Sequence, residues 1–205
     1  KQMIQVLNFY LAESFQDSNS FYDDSLNRDR DFLENQMNYY SEQWISKMLI
    51  KLNDNNQPTN NVFGLSGANL LSVISKQTRL ITEDLGHFFE DIACIAPNCI
   101  NPETVFGVKL LGVDLIRMIG ANYSYVQLKT AEDTLTGSQA PRARKELEIY
   151  ENPYFAAAIK LKRGWTIGGI HTLEEHGIER GAGELFWLSI NIPYNLVLSV
   201  VSDML

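Results

Sequence analysis

The chain has 205 residues, 45% hydrophobic and 20% charged, with a formal net charge of -8. That is an ordinary globular mix, long enough for one sizeable core, and its acidity argues against a passive basic coat on nucleic acid. No apolar run approaches the roughly 18 to 20 residues of a membrane span.

Residues 3 to 15 and 29 to 52 carry apolar side chains at three- and four-residue spacing. Phe32, Leu33, Met37, Tyr40, Trp44 and Met48 mark the second stretch, and the spacing predicts a helix in each. LNDNNQPTNN, residues 52 to 61, is a polar connector with a proline. Two further helices are predicted, over 67 to 77 and over 82 to 95. Thr82 is the expected N-cap of the second, and Pro97 lies just beyond its end. NCINPETVFG then reads as a loop.

The two cysteines, Cys94 and Cys99, fall in CIAPNC. They are expected as reduced thiols, with one short-loop disulfide as the alternative. His87 with these cysteines matches no common zinc spacing. The start, KQMIQVLNFYLAESFQD, lacks the continuous apolar core and cleavage site of a signal peptide. The expectation is a cytoplasmic protein with no membrane partner.

The second half changes period. KLLGVDLIRMI, 109 to 119, and YSYVQLKT, 123 to 130, are short β-rich runs separated by Gly120-Ala121-Asn122, the pattern of a hairpin. QAPRARKELEIYE, 139 to 151, reads as a helix with Pro141 in its first turn. YFAAAIKLK and GWTIGGIHTL read as strands, ERGAGELFWLSI as a polar start opening a helix near Gly183, and YNLVLSVVSDML as a strand or a buried helix. The expected fold is α/β (α+β): a central mixed β-sheet flanked by helices. Residues 1 to 60 form a helical N-terminal region, for dimerisation or DNA contact, and 61 to 205 the core.

Charge is uneven along this frame. Residues 1 to 104 hold 7 Lys/Arg against 14 Asp/Glu, whereas residues 129 to 163 hold 7 against 5. A polyanion would meet the second half first.

Three polar residues sit inside the hairpin's apolar runs: Asp114, Gln127 and Lys129. Residues two apart on a strand share a face, so Gln127 and Lys129 project together, and the hairpin brings Asp114 level with them. Carboxylate, amide oxygen and ammonium in one place suit metal-assisted phosphodiester hydrolysis. Asp114 and Gln127 would supply oxygen ligands to Mg²⁺, or Mn²⁺, and the Leu128 carbonyl between Gln127 and Lys129 a third. Lys129 would position water or offset charge developing on phosphate. Alternation on a half-exposed sheet also places polar residues at such positions facing solvent.

Gly-Val-Asp-Leu-Ile followed by Tyr-Val-Gln-Leu-Lys resembles the core motif of the PD-(D/E)XK nuclease superfamily, in the form found in its Mrr-like and Holliday-resolvase-like branches. There an aspartate on one strand is followed, on the next, by an acidic residue or Gln, any residue, and lysine. Those families carry a glutamate in the preceding helix, often after Phe, and Phe89-Glu90 in LGHFFEDIACIAP matches it. The resemblance spans at most residues 82 to 130, with Val113 where the motif often has proline. It implies a restriction-endonuclease-like core, with Asp114, Gln127, Lys129 and Glu90 as catalytic residues. Asp114, Gln127, Leu128 and Glu90 would be the metal ligands.

After Lys129, TAEDTLTGSQAPRARKELEIY offers hydroxyls, an amide and a basic first helical turn. Thr130, Thr136, Ser138, Gln139, Arg142, Arg144 and Lys145 are the candidate DNA-contacting residues. The long N-terminal region and this loop favour a type II restriction enzyme acting on double-stranded DNA. A palindromic site would require a homodimer, with Trp44 and its neighbours on the 29 to 52 helix as its interface. A repair or junction-resolving nuclease, and a fold of this kind that binds without cutting, are the alternatives. His171 and His176 have no nucleophile motif or metal-ligand spacing nearby and are expected to be structural, as are Trp165 and Trp187.

Overall fold

The computed structural model describes residues 30–57, 60–120, 122–135, 139–162 and 164–204. The helix expected over 3 to 15 and the candidate contacts Thr136 and Ser138 lie outside the described residues.

Helix α1 (Arg30–Asp54) has no Gly or Pro to break it, and it buries Leu33, Met37, Ser41 and Met48 along one side. Asp31 in its first turn and Lys51 in its last complement the helix dipole. The short α2 (Val62–Leu65) starts at Asn61, whose side chain accepts from the amides of Phe63 and Gly64. Helix α3 (Asn69–Ala93) runs unbroken where two helices were expected. Thr82 is not a cap: its hydroxyl donates to the Thr78 carbonyl inside the helix. TRLI, residues 78 to 81, contains no Gly or Pro, so nothing there stops propagation.

The expected loop after α3 holds two small elements, β1 (Cys99–Ile100) and α4 (Pro102–Phe106). Asn101 caps α4 by accepting from Glu103 and Thr104 amides, and Gly107 closes it in the left-handed region at φ 65°. Strands β2 (Leu115–Ile119) and β3 (Asn122–Ala131) form the expected hairpin, paired from Ile119 with Asn122 to Leu115 with Val126. Helix α5 (Ala140–Leu147) and strand β4 (Pro153–Ile159) follow as read from the sequence.

GWTIGGIHTL departs from expectation, forming helix α6 (Ile167–Glu174) instead of a strand. Thr166 sets this: its side chain accepts from the Gly169 amide as an N-cap. A methyl group on Gly169 would lie 2.9 Å from a Leu135 side-chain carbon, so the helix seats where the glycine leaves room. The chain ends in β5 (Glu179–Ala182), α7 (Glu184–Ser189) opening after Gly183, and α8 (Tyr194–Met204).

The sheet is mixed, in the order β1-β2-β3-β4-β5. β1 to β3 pair antiparallel, and β3, β4 and β5 pair parallel. Alternation divides it between two cores. Val126 and Leu128 join Phe89, Ile92, Trp187 and Leu196 on one face, while Tyr125 and Phe155 join Ala143, Leu147 and Leu173 on the other. Trp187 is fully buried, and its Nε1 donates to the Ala158 carbonyl at 2.8 Å. Leu33 and Met37 of α1 belong to the first of these clusters, so the described part of residues 1 to 60 packs into the same core as the sheet. Both cysteines are free thiols, Cys99 buried.

Candidate active site

The site lies at the end of the sheet where β2 begins. Pairing between β2 and β3 starts at Leu115 and Val126, so beyond Val126 the β2-side edge of β3 has no strand beside it. Asp114 takes that place. Its amide donates to the Val126 carbonyl at 2.9 Å, and its Oδ2 accepts from the Leu128 amide at 2.8 Å. One side-chain oxygen thus continues the ladder by a rung. A strand residue's amide and carbonyl face the same side, so the Leu128 carbonyl also faces Asp114.

Gln127 and Lys129 project from β3 towards α5, on the face opposite Val126 and Leu128. Gln127 is buried, and its Nε2 donates to Glu146 Oε2 at 3.3 Å. Its Oε1 is buried with no donor, an acceptor available to a ligand. Gln127, Lys129, Gln139, Arg142, Glu146 and Phe155 line a cavity of about 310 Å³. α5 can approach this closely because Gly112, two residues before Asp114, lacks a side chain. A Cβ there would lie 2.5 Å from the Glu146 Cβ, and its φ of +69° also suits glycine.

Glu90 reaches the same end of the sheet from α3. Asn101 Nδ2 donates to its Oε2 at 3.3 Å, and His87 Nδ1 lies 3.5 Å from the same oxygen. Burial, then the nearby Asp114 charge, push the Glu90 carboxyl up to about 7, against a smaller lowering by His87. The Asp114 carboxyl is also raised, first by burial and also by Glu146. Lys129, the Leu128 amide and His87 oppose that rise. The site therefore gathers half-buried negative charge that its own cations only partly offset.

The structure brings together Asp114, Gln127, Leu128, Lys129 and Glu90. The candidate DNA contacts divide. Gln139 and Arg142 stand at the cavity with Gln127 and Lys129, and Arg142 Nε is paired with Glu146 Oε1 at 2.7 Å. Arg144 turns away, 3.6 Å from Glu148 and 3.0 Å from His176 Nε2. Lys145 is exposed. Thr130 faces α3, its Oγ1 4.0 Å from where a Cβ on Gly86 would lie. His171 and His176 are exposed, and Trp165 is buried.

Sequence reasoning missed Glu146, Asn101 and His87. Glu146 carried a signal: it falls four residues after Arg142 and three after the buried Ala143, at the edge of the inward face of α5. Among the described residues, no group of three or more His, Cys, Asp or Glu is close enough to hold a metal ion. A cation here would need the Gln127 amide and the Leu128 carbonyl beside its carboxylates. No described helix is long and apolar enough to cross a membrane. The chain matches no family model, no curated protein and no solved structure.

Proposed function

We propose that the chain is a divalent-cation-dependent endonuclease that hydrolyses phosphodiester bonds of double-stranded DNA, in the manner of a type II restriction enzyme. The observation that carries this reading is the convergence of Asp114, Gln127 and Lys129 with Glu90 at one open end of the sheet. There two neighbouring carboxyls both sit above their ordinary range. That is the arrangement the resemblance to PD-(D/E)XK nucleases implies.

Asp114, Gln127 Oε1 and the Leu128 carbonyl, with Glu90, would hold Mg²⁺ or Mn²⁺, and all are the oxygen donors such hard cations take. The buried Oε1 without a donor fits that role. Glu146 beside Gln127 keeps a carboxylate next to the position where the motif more often has an acid. A bound cation would supply positive charge against the phosphate and make a nearby water more acidic.

The protein groups do the rest. The Lys129 ammonium orients the attacking water and offsets charge gathering on the phosphate oxygens. The Glu90 oxygen not spent on the cation accepts the proton that water gives up. Gln139 and Arg142 meet DNA at the cavity mouth, where Arg142 must share its guanidinium between Glu146 and a phosphate.

A two-fold dimer would use a part of α1 other than Trp44. Trp44 packs inward, its ring 6.3 Å from that of Phe88. Leu49, Ile50, Val62, Leu65, Leu70 and Leu71 are exposed on α1, α2 and the start of α3 and suit a second copy better.

Digestion of a long duplex with Mg²⁺, by wild type and Asp114→Asn, tests the reading. Discrete fragments from the wild type alone support it, and nicking confined to branched or damaged DNA would assign a repair nuclease instead. No cleavage with any divalent cation would overturn it.

A further inference from the structure

A second cavity, of about 340 Å³, lies between α1 and α3. Its walls combine aromatic rings with both signs of charge. Tyr39, Tyr40, Trp44 and Phe88 contribute ring surface, while Lys47 and Asp91 contribute charge. Lys51 and Asp84, also in the wall, hold one another at 2.7 Å. Trp44 Nε1 is buried and has no acceptor among the described residues. Leaving a buried indole N–H unpaired is costly, and a ligand carrying an acceptor would remove that cost.

The cavity is joined to the candidate active site through a shared residue. His87 lines it, and the same ring stands 3.5 Å from Glu90. One turn of α3 therefore separates this aromatic cavity from the carboxylates around Asp114.

We infer that this cavity receives a nucleobase turned out of the DNA helix beside the cut phosphate, a reading that rests on the nuclease function proposed above. The chemistry fits a base with a keto oxygen and an exocyclic amine, cytosine or guanine. The keto oxygen accepts from Trp44 Nε1 once the indole tilts towards the cavity, the amine donates to Asp91, and the Tyr39 or Tyr40 ring supplies a stacking face. Lys47 at the wall is placed to meet the phosphate of the extruded nucleotide. The volume is far too small for a duplex and adequate for one base.

The experiment uses three fluorescein-labelled duplexes of one sequence. One is fully paired, one carries a single bulged cytidine, and one carries a bulged abasic nucleotide. Binding is measured in EDTA, so that no cleavage occurs. Wild type is expected to bind the bulged cytidine at least about tenfold more tightly than either control, since stacking of one base is worth roughly 5- to 150-fold in affinity. Trp44→Phe keeps a ring and removes the N–H, and Tyr39→Ala removes a stacking face from a side chain that is 56% exposed. Each should erase most of the preference while leaving affinity for the fully paired duplex within about twofold. Thermal melts confirm that both variants are folded, and Tyr39→Ala stands if Trp44→Phe does not fold. Equal wild-type affinity for all three duplexes, or a preference that survives both substitutions, overturns the inference. Mg²⁺-dependent cleavage of the paired duplex by wild type, lost in Asp114→Asn, is scored separately, so the nuclease reading stands or falls on its own result.

Discussion

Glu90→Gln makes a quantitative test of the candidate site's electrostatics without needing any substrate. The Glu90 carboxyl titrates at about 7 in the folded chain against 4.5 in the unfolded one, because burial and Asp114 disfavour its charge. Below about pH 4.5 the group is protonated in both states and costs nothing. Between 4.5 and 7 the unfolded state releases the proton and the folded state keeps it, so stability falls as pH rises. At roughly 1.4 kcal/mol per unit, the full shift corresponds to about 3 kcal/mol. The side chain is 17% exposed, and solvent screening reduces the expected effect to about 2 kcal/mol. Glutamine cannot ionise, so the stability of Glu90→Gln relative to wild type should climb by about 2 kcal/mol between pH 4.5 and 8. Urea titrations of both proteins at half-unit pH steps, in EDTA, measure the difference directly. A difference that stays flat over this range would show that Glu90 is not held out of water beside a second carboxylate, and the proposed charge cluster would fail.

Asp114→Asn should abolish cleavage and weaken Mg²⁺ binding by calorimetry while the protein stays folded, since an asparagine oxygen can still accept from the Leu128 amide. Gln127→Glu adds a charge next to Asp114 and Glu146, so the Mg²⁺ concentration for half-maximal cleavage should fall; an unchanged metal dependence removes Gln127 from the ligand set. Lys129→Ala should keep metal binding and lose single-turnover cleavage. Arg142→Ala frees Glu146 and removes one cation from the cavity mouth, and should reduce the salt slope of duplex binding by about one unit if Arg142 meets a phosphate. Gly181→Ala would place a methyl 1.9 Å from the Tyr154 hydroxyl, whose ring is held by Arg117 stacked at 3.6 Å, and should cost about 1 to 3 kcal/mol in urea denaturation.

The hairpin of β2 and β3 was legible because its signals are local: alternation with period two, and a turn at Gly120 where φ is 60°. That alternation also placed Gln127 and Lys129 on one face without any knowledge of the rest of the chain. The α3 helix was half legible. Its apolar periodicity was visible, but a single threonine suggested a start that the uninterrupted i to i+4 bonding does not honour. α6 was misread because β-branched residues around Gly168 and Gly169 resemble a strand, whereas the Thr166 cap and close packing on Leu135 decide for a helix. The basic turn of α5 was legible as composition and not as geometry: 100° per residue sends Arg142 to the cavity and Arg144 to His176.

Period and turn chemistry therefore determined by themselves that helices precede a hairpin and that Gln127 and Lys129 share one face of its second strand. These features depend on residues within a few positions of one another. Only the tertiary structure placed Glu146 against Gln127, 19 residues away, and set Glu90 near enough to Asp114 for the Asp114 charge to raise the Glu90 carboxyl. It alone opened an aromatic cavity between two helices that the sequence separates by a polar connector. Those contacts arise where two packed surfaces meet, and which side chains meet is decided by the seating of whole helices on the sheet, as Gly112 permits for α5.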